Sequence, residues 1–130
     1  MPKKIVKTSK APLPIGPYNQ AVITGKLVYT AGQIAIDPKT NTVHYGPVGE
    51  QTRIILNNLK VILEAAGSSL KKVVKTTVFL KSMDDFGAMS AVYQEFFNDP
   101  KNAPARSTIE VARLPKDVLV EIEAVAEIGK

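Results

Sequence analysis

Cysteine is absent from this sequence, and histidine occurs only once, at His44. Without cysteine, the chain can form no disulfide, offer no thiolate nucleophile and supply no thiolate ligand to a metal. A single histidine also excludes a histidine-rich metal site within one chain. No apolar run approaches the roughly 20 residues that a membrane-spanning helix needs, and no charged-then-apolar leader opens the sequence. We therefore expect a cytoplasmic protein without disulfides or a membrane anchor.

Acidic residues are fewer than basic ones, 12 against 17, which gives a formal net charge of +5. A basic excess raises the question of nucleic-acid binding, so the placement of the charges matters. The basic residues are scattered, and their two local groups, at residues 3–10 and 71–75, contain no interleaved aromatic side chains that could stack on bases. This distribution predicts a solvated surface and argues against a nucleic-acid partner.

Two amphipathic helices are predicted from the apolar periodicity. In the first, apolar residues recur at three- and four-residue spacing from about 49 to 66, and Gly67 supplies the C-terminal stop. The second begins with a cap among residues 82–85 and runs to about residue 97. Aromatic and methionine side chains, Phe86 among them, form the inward stripe of this second helix.

Six strands are predicted around these helices, at residues 5–8, 18–24, 27–33, 73–80, 107–111 and 118–128. The order β-β-β-α-β-α-β-β indicates an α+β fold in which one mixed sheet carries both helices on one face. The chain most simply forms one domain, 1–130. Leu119 and Val125 are assigned to the uncovered face of the sheet, and apolar residues there suggest contact with another subunit.

The second and third strands are predicted to form a hairpin around the two-residue turn Gly25-Lys26. If Thr24 faces Leu27, the register continues to the open end of the hairpin, where Asn19 faces Gly32 and Tyr18 faces Gln33. The hairpin therefore predicts that the segments around Tyr18 and Gly32, which are distant in sequence, lie close together. A ligand could approach the backbone closely at Gly32, although a simple bend in the strand would also use a glycine.

The last two strands are predicted to pair with each other as well. A register of Ile109 with Val120 puts apolar residues on one side, sets Thr108 opposite Glu121, and leaves Arg106 beside Glu121 on the other side. The pair has two readings. It could be a cross-strand ion pair on the surface, or the guanidinium could grip a substrate carboxylate while the glutamate holds or activates a water. Spacing alone does not choose between them.

Several motifs together resemble one family. They are I-G-P-Y at Ile15 to Tyr18, A-G-Q at Ala31 to Gln33, V-K-T-T-V-F at Val74 to Phe79, P-A-R-S at Pro104 to Ser107, and V-A-R-L-P-K-D-V with E-I-E-A within Val111 to Ala124. On these motifs the chain is identified as similar to the RidA/YjgF family of enamine/imine deaminases. The resemblance implies a homotrimer of chorismate-mutase-like α+β subunits, with sites in the clefts between protomers.

The activity that the resemblance implies is hydrolysis of 2-aminoacrylate and related 2-imino acids to 2-keto acids and ammonia, with no cofactor and no metal. Arg106 would anchor the substrate carboxylate, and backbone groups of Gly32 and Thr108 would bind near the imine. Glu121 would hold the attacking water, and Tyr18 would close the cleft. Small 2-imino and 2-keto carboxylic acids are therefore the expected partners.

On the second helix, Phe86 and Ser90 complete the substrate-binding set that the resemblance implies. The sequence departs from the common family pattern at three positions: Ala31 replaces a frequent serine, Thr108 a frequent cysteine and Ser90 a frequent asparagine. Two other function classes stay open at this point. One is an RNA-binding translation inhibitor or endoribonuclease, and the other is a metabolite-binding or chaperone protein without turnover.

Overall fold

The computed structural model describes residues 2–129. Its strands are β1 (Lys4–Val6), β2 (Ala21–Thr24), β3 (Leu27–Thr30), β4 (Ile36–Asp37), β5 (Thr42–Val43), β6 (Val73–Leu80), β7 (Ala105–Glu110) and β8 (Val120–Glu127), and its helices are α1 (Val48–Ala65) and α2 (Phe86–Phe96). Six strands form one sheet in the order β1-β2-β3-β8-β6-β7, while β4 and β5 pair separately. The expected α+β fold, a mixed sheet with two helices on one face, is confirmed.

Helix α1 forms where the apolar periodicity predicts it. Its buried stripe includes Ile55, Leu59 and Ile62, which lie on one side of the helix and pack on the sheet. The helix ends with Gly67 at φ +83°, and the amide of Ser68 donates to the carbonyl of Leu63. A left-handed glycine of this kind is a common helix terminator. Among residues 2–129, no helix combines the length and apolar character needed to cross a membrane.

Strands β6 and β8 form the centre of the sheet and pair antiparallel over Lys75 to Leu80. Their alternate side chains turn toward the helices, so that Val78, Leu80, Val120 and Ile122 are fully buried against α1 and α2. The alternation predicted for the last strand is therefore confirmed over Val120–Glu127. Burial of this layer is the main source of stability, at about 25 cal/mol for each Å² of apolar surface removed from water.

The predicted pairing of β7 with β8 is wrong. Within residues 2–129, strand β7 pairs only with β6, in parallel, and β8 lies on the other side of β6. The chain from β6 through α2 to β7 is thus a strand–helix–strand crossover, the usual connection between parallel neighbours. Because β7 has few apolar residues and several charged or hydroxyl side chains, it forms the edge of the sheet and not its interior.

The predicted sidedness of β7 is wrong as well. Arg106 is opposite Thr76, which faces the helices, and Ile109 is opposite Phe79 on the uncovered face. Ile109 is consequently 44% exposed in the single chain, although it was assigned to the core. Leu119 also departs from its assignment, because it lies before β8 and packs against the buried cluster between sheet and helices. Val125 does lie on the uncovered face, beside Tyr29.

Hairpin β2–β3 has the predicted turn and register. Thr24 pairs with Leu27 across Gly25-Lys26, and Gly25 has a φ of +58°. The ladder is shorter than predicted, since it stops at Ala21 and Thr30. Beyond the end of this ladder the two segments no longer pair as strands. Gln33 forms a bridge to Ile122 of β8 instead of pairing with Tyr18. The segments around Tyr18 and Gly32, which the predicted register brought together, nevertheless remain neighbours.

Candidate functional site

The open end of hairpin β2–β3 borders a cavity of about 290 Å³. Three of the predicted site residues, Tyr18, Gly32 and Glu121, line it together. The remaining lining residues are Ile15, Ala31, Ile34 and Pro115. The prediction that Tyr18 and Gly32 lie close together is therefore confirmed, and Glu121 joins them because β8 runs beside β3.

The proline-rich loop before β2 is held in place by Gln20. This side chain is 2% exposed; its amide nitrogen donates to the carbonyls of Thr8 and Pro12, and its amide oxygen accepts from the Thr8 amide. These hydrogen bonds satisfy backbone groups of Thr8 and Pro12 without regular structure. Tyr18 at its end is 45% exposed, and its hydroxyl accepts a hydrogen bond of 3.2 Å from the amide of Ile15. The ring thus lies at the mouth of the cavity.

Glu121 packs directly over Gly32. A Cβ atom built on Gly32 would lie 2.9 Å from Cδ of Glu121, a separation that real Cβ contacts essentially never show. Glycine at this position lets the Glu121 carboxyl lie against the backbone, and any larger residue would displace that carboxyl. Burial, with the charge of Glu123 as the smaller contribution, raises the pKa of the Glu121 carboxyl above its usual range. Among residues 2–129, Glu121 forms no ion pair.

Arg106 lies in a second group of residues, against α2. Its guanidinium carbon is 4.6 Å from the ring centre of Tyr93 and 5.3 Å from that of Phe86. One guanidinium nitrogen donates to Oγ of Ser90 at 3.2 Å. The side chain is half-buried, and within the described residues no carboxylate lies in ion-pair range of it. Cations over aromatic faces are attracted by the ring quadrupole, which holds the guanidinium while its outer edge remains available.

Thr108 shares the face of Arg106. It is opposite Val78 of β6, is half-buried, and follows Arg106 at the spacing that returns to the same side of a strand. Since β7 is an edge strand within residues 2–129, half of its backbone amides and carbonyls have no sheet partner. Backbone groups around Thr108 can therefore donate and accept hydrogen bonds with a ligand.

The two groups do not meet within one chain. Arg106 is opposite Thr76 on the helix side of the sheet, whereas Glu121 is opposite Phe79 on the uncovered side. They are also separated by about 10 Å along the strands and about 10 Å across two strand spacings. The prediction that Arg106 lies beside Glu121 as a possible ion-pair partner is wrong, because β6 separates their strands.

Three residues that shape the site, Pro115, Tyr45 and Tyr93, were not predicted from the sequence as site residues. Pro115 lines the cavity from a turn in which Lys116 and Asp117 both have left-handed backbone angles, φ 58° and 57°. The hydroxyl of Tyr45 donates to the carbonyl of Lys116 at 2.8 Å and braces that turn. Two consecutive left-handed residues other than glycine are uncommon, and they carry no clear sequence signature. The aromatic stripe predicted for the second helix includes Tyr93, but its contact with Arg106 had no signal in the sequence.

Comparison with known proteins identifies the family of this chain. The family model described as Endoribonuclease L-PSP matches residues 8–128. This chain belongs to that family. The resemblance to RidA/YjgF proteins inferred from the motifs is thereby confirmed.

Individual members of the Endoribonuclease L-PSP family are similar over nearly their whole length. A RutC family protein of Pyrococcus horikoshii is 55% identical over 124 residues, which cover 95% of this chain and 97% of that protein. The 2-iminobutanoate/2-iminopropanoate deaminase of Salmonella typhimurium is 51% identical, with 95% and 96% covered. The crystal structure of E. coli TdcF with bound serine is 44% identical with a TM-score of 0.90, and 97% and 99% of the two chains are covered.

Proposed function

We propose that this protein is a cytoplasmic homotrimeric deaminase that hydrolyses 2-imino acids, including the imino tautomer of 2-aminoacrylate, to 2-keto acids and ammonia. One observation carries the proposal. Arg106 is a half-buried cation held on two aromatic rings, with no carboxylate partner in the described part of the chain. A guanidinium held in this way is suited to a bidentate grip on a ligand carboxylate.

The site is proposed to form between two protomers. Arg106, Ser90, Phe86 and Thr108 of one protomer would face the cavity that contains Glu121 of the next. This arrangement explains why the two groups lie on opposite faces of a single sheet. It also gives a role to the uncovered face, where Ile5 and Tyr29 are 49% and 45% exposed in the single chain.

Substrate binding would begin with two parallel hydrogen bonds from Arg106 to the carboxylate. Free backbone groups near Thr108 and Gly32 would orient the imine, and Tyr18 would limit the access of bulk solvent. The serine bound in the E. coli TdcF structure is consistent with this, because serine carries an α-carboxylate beside a nitrogen-bearing carbon. Holding the reacting groups in this geometry removes much of the entropic cost of the reaction.

The chemical step needs one water and one proton carrier. Glu121 accepts a proton from the water as its oxygen forms a bond to the imine carbon, and the carbon–nitrogen double bond becomes single. The carboxyl then returns the proton to nitrogen, which gives a carbinolamine. Glu121 next carries the hydroxyl proton of the carbinolamine to nitrogen; the carbon–nitrogen bond breaks, ammonia leaves, and the carbonyl of the 2-keto acid forms. Burial raises the pKa of the Glu121 carboxyl above its usual range, which makes it a stronger proton acceptor than an exposed glutamate and suits it to carry a proton.

The experiment generates 2-aminoacrylate in situ with a serine dehydratase and follows release of pyruvate with and without this protein. Acceleration of keto-acid release is the expected result. If wild-type protein gives no acceleration, the proposal is wrong. Cleavage of RNA by the same nuclease-free preparation, in the absence of deamination, would instead favour the activity that the family description names.

Gly32→Ala is predicted to lower kcat/KM for imine hydrolysis by about 10- to 100-fold, since a displacement of about 1 Å can have an effect of this size. The new methyl group displaces the Glu121 carboxyl, which is the flexible end of a side chain, so the fold remains intact. Steady-state kinetics and thermal unfolding measure the two effects separately. Gly87→Ala is the matched control, because a Cβ there meets no atom within 4 Å. Equal kinetics for the two variants would contradict the proposed importance of the Glu121 position.

A further inference from the structure

Beneath Arg106 lies a buried pair of hydroxyl groups. The hydroxyl oxygens of Thr76 and Tyr93 are 2.7 Å apart, and the two residues are 1% and 7% exposed. Thr76 is also directly opposite Arg106 in the parallel register of β6 and β7. Tyr93 therefore lies across both strands, with its hydroxyl on Thr76 and its ring face 4.6 Å from the guanidinium carbon of Arg106.

We infer that Thr76 and Tyr93 are positioning residues, which fix the guanidinium of Arg106 in the orientation that binds a carboxylate. The inference deepens the proposed function and rests on it for the identity of the ligand. The hydrogen bond between the two hydroxyl groups sets the rotation of the Tyr93 ring. The ring in turn sets the plane of the Arg106 guanidinium above it. Phe86 and Ser90 restrain the guanidinium from its other sides.

Apolar packing alone would not require these hydroxyls. Tyr93 belongs to the buried cluster that includes Val78, Met89 and Leu80, in which a phenylalanine ring would fill the same space. A buried hydroxyl without a partner is destabilising, whereas two that satisfy each other fix a single geometry. Burial raises the pKa of Tyr93, so its hydroxyl stays neutral at physiological pH and the hydrogen bond persists.

The first test measures Arg106 directly and needs neither a substrate nor activity. Tyr93→Phe and Thr76→Val each remove the hydrogen bond between the two hydroxyl groups while retaining the shape of the side chain. The ¹H–¹⁵N heteronuclear NOE of the Arg106 Nε–H group is compared in wild type and both variants. We expect the NOE to fall in both variants, and the double variant to resemble either single one because the same bond is lost. An unchanged NOE overturns the inference, whatever the outcome of the deaminase assay.

The second test uses kinetics with a matched control. In Tyr93→Phe and Thr76→Val, KM for the 2-imino acid should rise about 3- to 10-fold while kcat changes less than about 2-fold, as expected when ground-state binding is weakened. Thr52→Val is the control, since Thr52 is fully buried and its hydroxyl donates to the Val48 carbonyl within α1. If Thr52→Val raises KM equally, the effect is one of general stability and the positioning role is wrong.

If wild-type protein lacks deaminase activity, the proposed function fails while the NMR measurement still decides the positioning role. If wild-type protein is active and the Tyr93 and Thr76 variants keep both the wild-type KM and the wild-type NOE, only the positioning role fails. The two failures are therefore distinguishable.

Discussion

Arg106→Ala is expected to lower kcat/KM for 2-imino acid hydrolysis by about 100- to 1,000-fold. A charge-assisted bidentate contact is among the strongest that a side chain can make, and its loss costs about 3 to 4 kcal/mol in kcat/KM. Because Arg106 has no ion-pair partner within residues 2–129, its removal leaves no buried carboxylate uncompensated. Stability should therefore change little. The dehydratase-coupled assay and thermal unfolding measure the two quantities.

Two further arginine variants separate the role of the Arg106 guanidinium from the effect of removing a positive charge. Arg106→Lys should recover part of the loss, since an ammonium group keeps the charge but cannot form the two-pronged contact. Arg53→Ala is the control for removing a cation: Arg53 is exposed, pairs with Glu95 at 2.6 Å, and does not belong to the set of residues proposed to bind substrate. It should leave kcat/KM unchanged. Full activity in Arg106→Ala would contradict the assignment of Arg106 as carboxylate anchor.

Glu121→Gln is expected to lower kcat by about 100- to 10,000-fold, the usual contribution of a general acid–base group. The amide keeps the shape of the carboxyl over Gly32, so that loss of proton transfer is separated from loss of packing. Glu123 is exposed on the same face of β8, so Glu123→Gln is the matched control for removal of a carboxylate when kcat is measured at a pH at which Glu121 is fully ionised. Wild-type kcat in Glu121→Gln would exclude this carboxyl as the proton carrier.

The raised pKa of Glu121 gives this prediction a pH dependence. As a base, Glu121 must be ionised, so activity should fall on acidification at a pH above the usual range for glutamate. Removing the nearby charge in Glu123→Gln lowers the Glu121 pKa, which extends activity toward acid. A rate profile measured from pH 4 to 9 tests the shift, and movement of the acidic limb in the opposite direction would contradict it.

Stability should follow the same titration. The folded state holds the Glu121 proton to a higher pH than the unfolded state does. Its favourable contribution is therefore complete below the unfolded pKa and is lost as pH rises through the folded pKa. Glu121→Gln carries no charge, so its melting temperature relative to wild type should be higher at pH 7 than at pH 4. An advantage that is larger at pH 4 would reverse the sign and contradict the cause given for the shift.

Local sequence signals predicted the parts of the fold that depend on local physics. The stop at Gly67, the turn at Gly25 and the alternation of β8 each depend on a backbone angle or a side-chain period that neighbouring residues decide. The hairpin register likewise brought Tyr18 and Gly32 together, because a two-residue turn fixes strand pairing. These features needed no knowledge of distant contacts.

The order of the strands in the sheet was not predicted correctly from the sequence. Pairing β7 with β8 followed their succession in the chain, but a strand, a helix and a second strand more commonly form a parallel crossover. The composition of β7 also signalled an edge strand, since Arg106, Ser107 and Glu110 are poorly suited to the interior of a sheet. Ile109 then misled the assignment of faces, because an apolar residue on the uncovered face looks like a core residue in the sequence.

The central claim is that Arg106 of one protomer and Glu121 of another form one site, and mixed trimers test it most directly. Arg106→Ala and Glu121→Gln subunits are co-expressed with different affinity tags, and native mass spectrometry confirms that mixed trimers form. In a cyclic trimer with sites between neighbours, each mixed ring has one site with both residues intact. Because about three quarters of randomly assembled trimers are mixed, about one quarter of wild-type activity should return. Activity no higher than that of the separate variants would contradict the shared site.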